Sequence, residues 1–135
     1  MLFTTAFSNI NWLAVLVVWV AHVVISLVWF QPVFFGKAWV ELSGKDLKPA
    51  VRWIPVGFAA HLVAVLALAV IVNLANATTL LEGIAAGLLV SIGFIGAMLA
   101  GELVWEKIPF KLFLIRIGDQ LVTLSLAGAI LAVWR

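Results

Sequence analysis

The sequence predicts an all-α integral membrane protein, a bundle of four membrane-spanning helices forming one transmembrane domain over residues 1–135. Three observations predict it. Hydrophobic residues make up 66% of the chain and charged residues only 10%, against about 25% charged in a soluble domain. The apolar residues gather into four runs, at residues 10–30, 54–74, 83–104 and 112–134. Each run holds roughly 20 residues, which at about 1.5 Å rise per residue crosses the ~30 Å hydrocarbon core. The segments between the runs are one medium loop and two short ones, with no room for a second domain. A soluble chain of this length has no core large enough to hide four helices that are apolar all round. Lipid, in turn, leaves a spanning backbone only structures that satisfy their own hydrogen bonds.

The first run is too long for a signal-peptide core and has no Lys or Arg before it, so it reads as a retained span. Trp12 and Trp29 mark its ends, as Trp53, Trp105 and Trp134 mark others, because indoles favour the headgroup zone. Trp19, inside the run, reads as a packing residue. Pro32 closes the first span and Pro55 opens the second, where a missing N–H costs little. Between them, residues 33–42 mix Phe34, Phe35 and Trp39 with Lys37 and Glu41, the composition of a short interfacial helix. The third span is rich in small residues. Gly83, Gly87 and Ser91 recur every four positions, as do Gly93, Ala97 and Gly101. That spacing lets helix backbones approach closely in lipid. It serves either the neighbouring spans or the seam of a homo-oligomer, and four spans leave little protein to enclose a path alone.

Seven of the eight Lys and Arg residues (Lys37, Lys45, Lys48, Arg52, Lys107, Lys111 and Arg116) fall in or beside the first and third connections; only Arg135 is elsewhere. Cytoplasmic loops carry the basic excess. Both termini are therefore expected outside, with loops 31–53 and 105–111 in the cytoplasm. The net charge of +2 and the scatter of basic residues give no footprint for nucleic acid. Without Cys there is no disulfide framework, thiolate metal site or covalent haem attachment. Asn76-Ala77-Thr78 has the form of a glycosylation acceptor but hugs the membrane. No Gly-x-Ser-x-Gly, His-Glu-x-x-His or phosphate-binding Gly loop points to an enzyme. Leu27-Val28-Trp29 returns as Leu103-Val104-Trp105, each followed by Pro, Phe and Lys, which suggests a 2+2 parallel internal repeat.

Ionisable side chains within spans are costly and commonly functional. The candidates are His22, His61, Glu102, Arg116 and Asp119, with Gln120 beside the last. Residue counts from the cytoplasmic ends put His22 roughly 12 Å deep and both His61 and Asp119 roughly 10 Å deep, one layer contributed by three spans. Glu102 and Arg116 lie at roughly 4–6 Å. Arg116, Asp119, Gln120 and Thr123 form one polar stripe on the fourth span; Trp19, His22, Ser26 and Trp29 form another on the first. Arg116 can pair with Asp119 on its own helix or with Glu102 across the turn.

Asn11-Trp12-Leu13-Ala14-Val15, Trp29, Pro32, Phe35-Gly36-Lys37, Trp39, Lys111-Leu112-Phe113-Leu114-Ile115 and Gly128-Ala129-Ile130-Leu131 together resemble the membrane family catalogued as domain of unknown function 1761. The likeness runs over nearly the whole chain, and Phe-Gly-Lys-x-Trp is its most specific part. It implies a four-span protein of a bacterial inner membrane and brings no established activity. The chain departs from that pattern at Asp119-Gln120, where an aromatic-His pair is frequent, and at His22 and His61.

Three functional readings remain open. The polar layer is a path for a small solute, an ion or protons, with imidazole suited to proton exchange near pH 6.5. Alternatively it locks helix packing in a membrane scaffold. Or His22, His61 and Asp119 bind a divalent metal, or the two His a haem, although no cofactor is firmly implied. The partners expected are the lipid bilayer, a second copy of the chain and a small solute or ion.

Overall fold

A computed structural model describes residues 1–135, and every regular element in it is helical. In chain order these are α1 (Leu2–Ser8), α2 (Trp12–Trp29), α3 (Gly36–Ser43), α4 (Ile54–Leu74), α5 (Leu80–Val90), α6 (Ala97–Trp105) and α7 (Phe110–Val133). A π-helical turn, Ser91–Gly96, joins α5 to α6, so the third long helix runs continuously over Leu80–Trp105. Together with α2, Val51–Leu74 and α7 it makes four helices long and apolar enough to cross a membrane.

Local chemistry sets the ends. Asn11 caps α2, its side chain accepting the Ala14 N–H at 3.1 Å. Pro55 occupies the first turn of α4, where it has no intrahelical N–H to lose. At α5, Thr79 and Glu82 form a reciprocal capping box: the Glu82 N–H donates to the Thr79 hydroxyl while its carboxylate accepts the Thr78 and Thr79 N–H groups at 2.8 and 3.0 Å. The Thr-x-x-Glu pattern is the sequence mark of such a start. It extends the third span to Leu80, three residues before the expected 83. Likewise α7 starts at Phe110, directly after Pro109, rather than at 112. The helix α1 has no counterpart among the expected elements; within the segment expected as a short interfacial helix, 33–42, the chain is helical from Gly36, as α3.

The tightest packing joins α5 to α7. A Cβ on Gly83 would lie 2.2 Å from the Gly128 carbonyl oxygen, and one on Gly87 2.1 Å from that of Leu124. Both distances are far inside van der Waals contact, so glycine is what lets the two backbones meet. The Ser91 hydroxyl continues the seam, 2.8 Å from the Gly87 oxygen and 3.0 Å from the Gln120 oxygen. Helix α7 packs against every other spanning segment and is the most buried of the four. Gly93 and Ala97 are exposed, and a Cβ on Gly101 would touch nothing within 4 Å. Of the two small-residue rows, then, the first joins spans of the same chain and the second faces outward.

The two ends of the bundle differ. At one end Asn73 donates to the Ala6 carbonyl (2.9 Å) and Arg135 to that of Ala77 (2.7 Å). Both chain termini therefore sit with the α4–α5 turn. A continuous core fills this half, including Val15, Val18, Val65, Leu68, Val72 and Leu124. The opposite end carries the other seven basic residues. The suggested 2+2 repeat is not confirmed: Trp29 is partly buried against α7, while Trp105 is 83% exposed.

Candidate functional site

The site arises because α4 is packed into the core mainly through its second half. Its second half packs into the apolar core through Val65, Leu68, Ala69 and Val72, whereas residues 51–60 are all exposed. Helix α4 packs on α1, α2, α5 and α7 but not closely on α6. In the lysine-rich half the helices therefore stand apart around a cleft of about 800 Å³ that opens to the surface. Its walls include Phe30, Phe58, Ile95 and Leu99, and its polar lining is Ser26, Gln31, His61, Arg116, Asp119 and Gln120.

Asp119, buried at 3% exposure, is the centre of the polar lining. The Ser26 hydroxyl donates to its carboxylate, 2.9 and 3.1 Å from the two oxygens, and the Gln120 amide donates at 2.9 Å. One turn further along α7, the Thr123 hydroxyl returns to the Asp119 backbone carbonyl at 2.8 Å, which keeps it from presenting an unpaired group to the apolar core. Arg116 is taken by Glu102, whose two carboxylate oxygens accept from two guanidinium nitrogens. Of the two partners open to Arg116 in the sequence, the one across the turn is used.

Deeper in, the His22 and His61 rings stack with centroids 4.6 Å apart and planes 20° from parallel. His22 is 2% exposed, and both of its ring nitrogens and Nδ1 of His61 have no hydrogen-bond partner. Unsatisfied polar atoms in an apolar interior are costly. On the same level the Trp19 indole N–H donates to the Phe58 carbonyl at 3.0 Å, ring edge against ring, tying α2 to α4. Toward the chain termini the apolar core follows, with Val18, Val65, Leu68 and Leu124 buried.

Beside the cleft, Trp29 ties α2 to α7. Its indole N–H donates to the Ile115 carbonyl (3.0 Å), its ring stacks on Phe35 at 4.5 Å, and a Cβ on Gly118 would lie 2.8 Å from it. Trp29, expected as a headgroup anchor, thus holds the first connection onto α7.

Among the expected polar residues, the structure brings His22 to His61, Arg116 to Glu102, and Gln120 to Asp119. Both His61 and Asp119 line the cleft. Ser26, which was visible only as one member of the α2 stripe, proves to be the direct partner of Asp119; its i+4 spacing from His22 was the available signal. A metal does not fit His22, His61 and Asp119: no three metal-ligating side chains lie close enough to share an ion. Imidazole lone pairs lie in the ring plane, so rings stacked face to face do not aim them at one point. Nor do rings in mutual contact leave room for a haem between them.

A family model described as "Protein of unknown function (DUF1761)" matches residues 13–132. The chain belongs to that family. No curated protein and no solved structure matches it.

Proposed function

We propose that this member of the DUF1761 family is a small membrane carrier whose cleft receives a small solute, with protons exchanged at Asp119 and His61. The observation that carries the reading is the cleft itself: it lies in the lysine-rich half, holds Ser26, His61, Asp119 and Gln120 in its lining, and gives way to packed apolar side chains toward the termini. Carriers that alternate access hold their site near the bilayer midplane with one side sealed. The basic excess at the lysine-rich end supports a cytoplasmic mouth with both termini outside, which would place the protein in a bacterial inner membrane. A second copy, packed along the outward row Gly93, Ala97 and Gly101, would widen the protein surface around the cleft.

A second reading has its own support. Ser26, Asp119 and Gln120, and Arg116 with Glu102, bond to one another, as a packing lock in a non-catalytic scaffold would. The two readings part on substitution. Protein reconstituted in liposomes with a trapped pH dye, under a potassium diffusion potential, should pass protons above empty liposomes. Asp119→Asn and His61→Ala should lose that flux while melting near the wild-type temperature. Absence of flux from the wild type, or flux unchanged in both variants, overturns the carrier; a large fall in melting temperature with intact flux favours the scaffold.

A further inference from the structure

Resting on the carrier reading, we infer that the cleft takes an organic cation with an apolar body, its charge held against the Asp119 carboxylate. Charge accounting leads there first. Two formally charged residues line the cleft, Arg116 and Asp119. The Arg116 guanidinium is spent on both oxygens of Glu102. Asp119, once it has given up its proton, has only neutral donors, Ser26 and Gln120, so with His61 neutral the uncompensated charge of the cavity is negative. An anion meets repulsion at the floor and no free donor cation.

Size and wall chemistry then narrow the class. Pockets of roughly 300–1,000 Å³ suit drug-sized organic molecules, and this cleft holds about 800 Å³. No three His, Cys, Asp or Glu side chains come together there to hold a metal ion. Phe30 and Phe58 are among the walls, and aromatic rings attract a diffuse cation, while Ile95 and Leu99 cover an apolar body. The gap between the exposed half of α4 and α6 gives such a molecule a way in from the leaflet, where apolar cations concentrate.

Equilibrium dialysis of tetraphenylphosphonium against the detergent-purified full-length chain, corrected for protein-free micelles, tests this. Tetraphenylborate, of the same shape and opposite charge, is the paired probe. Saturable binding of the phosphonium and none of the borate is expected. Asp119→Asn should weaken phosphonium binding about tenfold or more, the loss of one charge pair in a desolvated site, while Asp119→Glu should retain it. No saturable phosphonium binding, equal binding of the two ions, or full binding by Asp119→Asn overturns the inference. If Asp119→Asn does not fold, the comparison of the two ions on the wild type decides alone. Proton flux without phosphonium binding would end the cation assignment and leave the carrier standing.

Discussion

At the scale of single residues, the side chains that matter most are those whose polar atoms had to be matched inside an apolar bundle. Trp29 illustrates both what was legible and what was not. Its place at a span end was plain from the sequence, and the generic reading of an end-of-span Trp is a headgroup anchor. Its partners, the Ile115 carbonyl and the bare surface of Gly118, lie more than 80 positions away, and no local pattern announces them. Trp29→Phe should lose both the hydrogen bond and the indole's packing over Gly118, costing about 1–3 kcal/mol in a reversible unfolding titration in detergent. Asp119 was legible as a buried charge at a countable depth, because residue number converts directly to depth along a helix. Its bond to Ser26 required knowing which faces of α2 and α7 meet.

At the scale of elements, the four spans stood out from composition alone, since apolar length is the dominant signal in lipid. Their ends moved by two or three residues where caps decide them, and the Thr79–Glu82 box was a readable signal that hydrophobicity masked. The π turn at Ser91–Gly96 was not readable: in a segment apolar all round, no periodicity distinguishes one helical pitch from another. The two small-residue rows looked alike in sequence but differ in surroundings, and two substitutions separate them. Gly87→Ala drives a methyl into the Leu124 backbone and should destabilise the bundle by about 1–3 kcal/mol or more, read as a lowered unfolding midpoint. Gly101→Ala meets open space and should leave the midpoint unchanged or raise it by up to about 1 kcal/mol through helix propensity. If the outward row is a seam between copies, the same Gly101→Ala chain should shift toward monomer in analytical ultracentrifugation. Unchanged association would remove that row from the interface.

At the scale of the whole molecule, the sequence carried the layer but not the cavity. A cleft is a product of how helices diverge, and α4 diverges because its second half is fastened into the core while residues 51–60 are exposed, with Phe58 joined to Trp19 of α2. Apolar residues occupy both halves of that helix, so hydrophobicity cannot tell a lipid-facing or cleft-facing position from a packed one. The grouping of the two termini with the α4–α5 turn, away from seven of the eight basic residues, follows from an even number of crossings and is held by the Asn73 and Arg135 hydrogen bonds. The central claim is that the polar floor is reached by water from the lysine-rich end and sealed from the other. The chain contains no Cys, and a Cβ at Gly57 on the cleft wall has nothing within 4 Å. Labelling of Gly57→Cys by a membrane-impermeant maleimide, added to one side at a time of oriented vesicles, therefore tests the claim most directly. The account predicts rapid labelling from the side of the lysine-rich loops and none from the side of the termini. Equal labelling from both sides, or none from either, would contradict it.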